Sequence, residues 1–491
     1  MTGENNLKVL FVSAEVAPFA KTGGLADVAG SLPKELALMG IDIRVAMPRY
    51  KLIKSDMEYV TDFAVQIGGK KETCIVRKEK TDDKSKNGAI GVPVYFIDSY
   101  NYFDRSGIYC YFDDAERFAF LCKAALEMLP RINFQPDIIH CNDWHTGPIC
   151  MLLNEVYKDH PFYKNIATIY TIHNLEYQGN FSGDTLKLFN VGYEIFTPEK
   201  VEFYGMFSFM KAGLVYADIL NTVSKEYSKE IQTERYGEKM EGVLQKRSED
   251  LYGIVNGISY KEFNPETDPR IYRNYNAQNY KLKKDNKYAL QRELGLPVTD
   301  VPVIGLVSRL SEQKGLELIL DKLEDLMKLD IQFVLLGTGD EHYETAFRNA
   351  KLVYPKKVGV YIGFNTDLAQ RIYAGCDMFL MPSRFEPCGL GQIISLRYGA
   401  IPIVRATGGL AETIVDFDDD NVNGNGFVFK EFSSDEMLDA IKRALKLYNE
   451  SPDVWSNLVK RALVLDFSWS RPAKKYIELY ERAIKKKSTK G

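Results

Sequence analysis

The sequence predicts an α/β protein built from two doubly wound, parallel-sheet domains. Short apolar runs rich in β-branched residues alternate with helix-period segments along nearly the whole chain. That series stops in an irregular stretch near the middle and then starts again. In each half a strand-like run leads into the same pentapeptide, TGGLA, at residues 22–26 and 407–411. Near-continuous apolar strands separated by helices mark parallel strands covered on both faces.

In order, the strand-like runs of the first half are KVLFVSA, DIRVAMP, VPVYFID, PDIIHCND, ATIYTIHN and ADILNTVS. Those of the second half are VPVIGLVSRL, IQFVLLGTG, VGVYIGF, DMFLMPS, IPIVRAT and GFVFK. After the first run a helix is expected from about Leu25 to Met39, with Gly40 just past its end. Residues 252–279 are rich in Asn, Pro and Tyr and follow neither period, so they mark the boundary. Residues 280–295 read as a helix closed by Gly295, leading to a second sheet that starts near Val301. The expected domains are therefore 1–255 and 256–475. A final helix over 476–491, apolar at Tyr476, Ile477, Tyr480 and Ala483, must pack back on a domain, and the first is expected.

Bulk properties narrow the function. With 491 residues, 45% hydrophobic and 26% charged, the chain is long enough for two cores. A formal charge of −4 supplies no general field for nucleic acid or an anionic membrane. The basic tail AIKKKSTKG reads as a solvated run. The start, MTGENNLKVL, has acid and amides where a signal peptide has basic residues, and no apolar stretch approaches the roughly 20 residues of a membrane span. Seven cysteines without a CxxC pair read as reduced, buried thiols, hence a soluble cytoplasmic protein.

Candidate chemistry begins at KTGGLADV. A glycine pair before a helix can take φ > 0 and bring backbone N–H groups and the positive helix end close to an anion. Lys21 adds a full charge. The pattern is neither GxGxxG nor GxxxxGK[ST], so NAD and Walker-type nucleotide sites fit poorly. A tight turn that seats helix on strand explains it equally well. His140, Cys141, Asp143 and His145 crowd together, but a strand end sends neighbours in opposite directions, and no second group stands at zinc spacing. The run DFDDDN at 416–421 reads as a solvated loop.

Seven ordered blocks carry a resemblance: KTGGLADV, CNDWHTG, TIHNLEYQG, VNGISYKEFNPETD, SRLSEQKGLELI, PSRFEPCGLGQIISLRYG and ATGGLAETI. Together they resemble bacterial glycogen synthases and plant starch synthases over nearly the whole chain. The resemblance implies the GT-B architecture, two Rossmann-like domains with an active-site cleft between them. It implies transfer of glucose from ADP-glucose to the non-reducing 4-OH of an α-1,4-glucan with retention, releasing ADP, without metal or pyridoxal phosphate. By the same resemblance Arg309 and Lys314 clamp the leaving diphosphate, and Glu386 lies beside the transferred glucose. His173 lies under the sugar, and Asn256 supports it. The expected donor contacts are Lys21, Gly23, Gly24, Asp27, Asn256, Cys388, Gly389, Leu390, Thr407, Gly408 and Gly409. Tyr102, Asp143 and Trp144 are the acceptor-side candidates, against a competing role as packing residues.

The two TGGLA copies are expected at equivalent strand-to-helix turns, as two N–H cradles facing one ligand. A GT-B transferase using UDP-glucose or a small acceptor is the nearest alternative, and a catalytically silent glucan-binding scaffold is the alternative of another class. Oligomeric state is left open by the sequence.

Overall fold

A computed structural model describes residues 7–79 and 91–490. The beginning of the chain, read above for signal character, lies partly outside the described residues. The chain forms two units: one runs to Gly257 and takes up the chain again from Trp469, and the other is Ile258–Ser468.

The strands of the first unit are β1 (Lys8–Val12), β2 (Asp42–Pro48), β3 (Met57–Ile67), β4 (Lys70–Glu79), β5 (Val94–Asp98), β6 (Ile138–Asn142) and β7 (Ala167–Ile172). They are followed by β8 (Asn180–Ser182), β9 (Glu202–Phe203), β10 (Met206–Ser208), β11 (Ile219–Thr222) and β12 (Leu251–Gly253). Nine of them make one sheet, ordered β12-β11-β7-β6-β1-β2-β5-β4-β3, and β8, β10 and β9 make a small separate one. Pairing is parallel from β12 to β5, and the edge β5-β4-β3 is antiparallel.

The β3–β4 hairpin corrects the all-parallel expectation. Its residues alternate between buried and exposed, as in Phe63, Val65 and Ile67, because one face packs on the helix Asp114–Arg131 and the other meets solvent. That period-2 pattern, with the Gly68-Gly69 turn, was present in the sequence, but charged residues interrupt it and no continuous apolar run exists.

The second unit has β13 (Val303–Val307), β14 (Gln332–Gly337), β15 (Val358–Ile362), β16 (Met378–Met381), β17 (Ile401–Arg405) and β18 (Phe427–Phe429). All pair in parallel, in the order β15-β14-β13-β16-β17-β18. In both units the chain builds outward from its first strand on one side, then returns to build on the other. The reversal falls between β1 and β6 in the first unit and between β13 and β16 in the second. Loops leave such neighbouring strands in opposite directions and open a crevice outside their carboxyl ends, the usual place for a ligand.

The last helix, Ser470–Lys490, packs on the first unit's sheet, and the chain rejoins that unit seven residues before position 476. Ala473, Tyr476, Leu479, Tyr480 and Ala483 are buried at helical spacing. Two buried phenols bring their polar ends with them and find partners in the strands. Tyr480 bonds His140 Nδ1 at 2.9 Å, and Asn221 donates to the Tyr476 hydroxyl at 2.9 Å. His140 Nε2 lies 2.8 Å from Thr171 Oγ1, so both ring nitrogens are satisfied without a charge.

Burial pushes the His140 imidazole down to about 3 and holds His145 well below its ordinary value. An unfolded histidine takes up its proton near 6.5. The unfolded state therefore binds more protons at any pH between the two values, and stability is full above about 6.5 and declines below it. The thermal midpoint of the first unit is expected to fall as pH drops from 7 to 5, a window above ordinary carboxylate titration. Calorimetry at several pH values checks this, and a flat midpoint across that range would contradict it.

Candidate active site

The loop after β1 carries the first glycine turn. Glu15 stands three residues beyond the strand, buried, with its carboxylate inside the loop. Oε2 accepts from Thr22 N–H at 2.5 Å and Gly23 N–H at 3.3 Å. Oε1 accepts from the Thr22 hydroxyl at 2.6 Å and from the Tyr109 hydroxyl at 2.6 Å. The backbone donors of residues 22 and 23, expected to meet a ligand, are thus held by an internal anion. What the loop presents instead is its rim: Gly24 opening the helix Gly24–Leu38, and Lys21 paired with Asp27 at 2.6 Å. Burial raises the Asp27 carboxyl above its usual range, against the opposing pull of Lys21. Neither Gly23 nor Gly24 takes a positive φ. Space does not demand glycine at 23 either, since a Cβ there would meet nothing within 4 Å.

The ends of β6 and β7 meet beside this loop. Asp143 takes a positive φ of 61° and accepts from Trp144 N–H at 3.2 Å. Burial raises its carboxyl well above the usual range, while the backbone N–H groups of Trp144, Asn174 and His173 oppose that rise. Asp143 thus ties the β6 turn to the β7 loop. His173 is half-buried, with Nε2 3.0 Å from Asn142 Oδ1, and burial lowers its ring to about 3. Its imidazole is neutral at physiological pH. Asn256, the last residue but one of the unit's first stretch of chain, has a buried Oδ1 with no hydrogen-bond partner among the described residues.

Two of the acceptor-side candidates are engaged in packing. Tyr102 is a core residue: only 3% exposed, it packs on Phe103 and Phe120 and its hydroxyl donates to Glu116. The exposed aromatics of that loop are Tyr100 and Phe112. Trp144 is only partly exposed, its indole stacked on His145 at 3.9 Å and edged by Phe118, Phe181 and Phe209. Gly179 has no Cβ to give because one would lie 2.2 Å from that ring. The aromatic density of 99–120 did not reveal which rings the core would claim.

In the second unit, the β13 and β16 ends carry the charged cluster. Arg309 follows β13 and its guanidinium reaches Gln313 Oε1 at 3.2 Å. Lys314 Nζ lies 2.7 Å from Glu386 Oε2, and Ser383 donates to the same oxygen at 2.9 Å. Glu386 is itself buried. Gly315, next to Lys314, has φ +65° and its Cβ would lie 2.1 Å from the Pro382 carbonyl, so only glycine lets the two loops touch here. Arg405, buried at the end of β17, donates to the carbonyls of Ser383 and Arg384 and braces the loop that presents Glu386. Gln392 donates to the Cys388 and Gly389 carbonyls, pinning the turn of Cys388, Gly389 and Leu390 before the helix Gly391–Arg397.

The second glycine turn does different work from the first. It follows β17, which neighbours the reversal strand; the corresponding strand of the first unit is β7, not β1. The two TGGLA copies are therefore not at equivalent places. Gly409 N–H donates to the Glu386 carbonyl at 3.1 Å. A Cβ on Gly408 would lie 2.0 Å from that carbonyl oxygen, and one on Gly409 2.0 Å from the Cys388 oxygen. Thr407, Gly408 and Gly409 form a backbone buttress under the Glu386 loop, and the Gly409 N–H is spent there.

Glu15, Tyr109, Asn142, Gln313, Ser383 and Arg405 were missed in the sequence. Only Glu15 left a signal, a lone carboxylate in an apolar stretch just before a glycine pair.

Two doubly wound units, each with charged and polar loops at its strand reversal, have the domain make-up of the GT-B class. The profile of the starch synthase catalytic domain matches residues 8–246, and that of the group 1 glycosyl transferases matches 290–461. The chain is 57% identical to a glycogen synthase of Desulforudis audaxviator, over 98% of this chain and 97% of that protein. It is 56% identical to one of Moorella thermoacetica, over 98% of each. The catalytic domain of starch synthase IV from Arabidopsis thaliana, solved with ADP and acarbose, superposes with a TM-score of 0.92 at 33% identity, covering 98% of this chain and all of that one. The chain belongs to the glycogen synthase and starch synthase family.

Two glycine substitutions separate buttress from rim. Gly409→Ala is expected to lower the melting temperature and the soluble yield, because the Cβ meets fixed backbone. Gly23→Ala is expected to change stability by no more than ~1 kcal/mol. Melting curves of both check this, and equal losses would contradict the assignment. Glu15→Ala removes the acceptor of two N–H groups and two hydroxyls, and because Thr22 is exposed, water replaces part of what is lost. Turnover is expected to fall at least tenfold, and a normal rate would remove Glu15 from any role at the site.

Proposed function

We propose that the protein transfers glucose from ADP-glucose to the non-reducing 4-OH of an α-1,4-glucan with retention, releasing ADP. The observation that carries this reading is the cluster of Arg309, Lys314 and Glu386 at the β13 and β16 carboxyl ends. Departure of a nucleoside diphosphate leaves positive charge on the sugar and negative charge on the phosphate oxygens. A guanidinium and an ammonium in one place suit the second, and a carboxylate beside the ammonium suits the first. The relatives named glycogen synthase, and the Arabidopsis enzyme holding ADP and acarbose, support the choice of donor and acceptor.

The roles divide by unit. Arg309 and Lys314 take the diphosphate, Glu386 lies against the transferred glucose, and the Cys388-Gly389-Leu390 turn faces its hydroxyls. Lys21, Gly23, Gly24 and Asp27 contribute from the rim of the first loop. Asn256 offers its unpartnered oxygen to the ligand. A neutral His173 acts as a dipole and hydrogen-bonding group, not as a proton donor. Departure and attack on one face of the sugar, within an ion pair, account for retention. Trapping a glucosyl adduct on any side chain would overturn that route. The two fixed cations stand where a metal would otherwise neutralise the leaving group, so EDTA is expected to leave the rate unchanged.

Nucleotide release from ADP-glucose and from UDP-glucose, each with and without glycogen, tests the whole reading. ADP release that depends on glycogen is expected. Release from UDP-glucose alone would favour the neighbouring transferase, and no release from either a silent glucan-binding scaffold. Arg309→Ala, Lys314→Ala and Glu386→Ala are each expected to lower kcat by about 10²–10³, or 2.7–4 kcal/mol. A folded variant with near-normal turnover would remove that residue from the site.

A further inference from the structure

Asn142, the last residue of β6, is fully buried and lies between the reversal strand and His173. Its side-chain amide has two unlike ends, and the surroundings dictate which goes where. Nδ2 donates to the Val12 carbonyl at 3.1 Å and to the His140 carbonyl at 3.2 Å. Turning the amide over would set its oxygen against two carbonyl oxygens and forfeit both bonds in a buried place. Oδ1 must therefore face His173 Nε2, 3.0 Å away. An amide oxygen only accepts, so Nε2 must carry the ring proton. In a neutral imidazole the other nitrogen, Nδ1, is then the acceptor. The ring is neutral because burial holds its pKa near 3.

We propose that Asn142 is a positioning residue: it fixes His173 as the Nε2–H tautomer, so that the ring meets its ligand through Nδ1, as acceptor of a hydroxyl hydrogen. The chain of constraint runs from two strand carbonyls, through one amide, to the protonation pattern of the imidazole. This rests on the reading above only in placing His173 against the substrate; the tautomer itself holds in the protein without ligand. It also explains why a lone histidine needs no carboxylate partner here. A carboxylate on Nε2 would favour the imidazolium, whereas the amide keeps the ring neutral and oriented.

The tautomer is read directly by long-range proton–nitrogen correlation on the full chain labelled with 15N-histidine. There are five histidines, and His173→Gln assigns the signal. Wild-type protein is expected to show a protonated Nε2 and an unprotonated Nδ1 at pH 7, and ADP-glucose is expected to shift the Nδ1 resonance. A protonated Nδ1, or an even mixture, overturns the proposal. An Nδ1 signal that ignores a ligand shown to be bound overturns the acceptor role. Asn142→Leu, similar in volume, is expected to give a tautomer mixture and to lower kcat at least tenfold, with ADP affinity changed less than threefold. Lost activity with an unchanged tautomer would mean that Asn142 serves packing alone. Should Asn142→Leu fail to fold, the wild-type spectrum still decides. Failure of the glucosyl-transfer reading would show in the nucleotide-release assay and leave this spectrum untouched.

Discussion

Everything placed at these sites depends on one constraint, the reversal of strand order beside the first strand of each sheet. A parallel strand covered on both faces can offer reactive groups only at its ends. Where neighbouring strands send their connections opposite ways, the carboxyl ends are left open to a ligand. In the first unit that opening brings Glu15, Asn142, Asp143 and the β7 loop together. In the second it brings together Arg309, Lys314 and Glu386. Glu15 is more than a hundred residues from Asn142 and Asp143, and Glu386 is 72 residues from Lys314; the reversal is what makes them neighbours.

The second theme is that the chain fills its own anion-binding features before any substrate does. Backbone N–H groups at residues 22 and 23 meet the Glu15 carboxylate, and the Gly409 N–H meets the Glu386 carbonyl. These internal bonds hold the loops that carry Lys21 and Asp27 in one unit and Glu386 with Lys314 in the other. The same logic explains the last helix. It returns to the first sheet with two tyrosines whose hydroxyls complete polar groups of the buried strands, so packing and hydrogen bonding are satisfied by the same side chains.

Parts of this were legible along the chain. The parallel strands read as continuous apolar runs because both faces are buried, and the last helix showed its apolar stripe. The edge hairpin β3–β4 did not, since its solvent face breaks the run with charge. Arg309, Lys314 and Glu386 stood out by motif, and the structure gathers them. Tyr102 and Trp144 looked alike in the sequence, and only three-dimensional packing decides that the first is almost fully covered and the second only in part. Asn142 had no signal, because its importance lies in two carbonyls from β1 and β6 that no local pattern relates.

The sequence by itself determined the fold class, the family and the charged cluster of the second unit, because strand periodicity and ordered motifs are written locally. Tertiary structure alone decided what the repeated TGGLA means. One copy wraps an internal carboxylate on the strand at the reversal, and the other braces the Glu386 loop from the next strand over. The five letters are the same. Their roles differ because a glycine pair permits close approach, and only the fold decides what approaches.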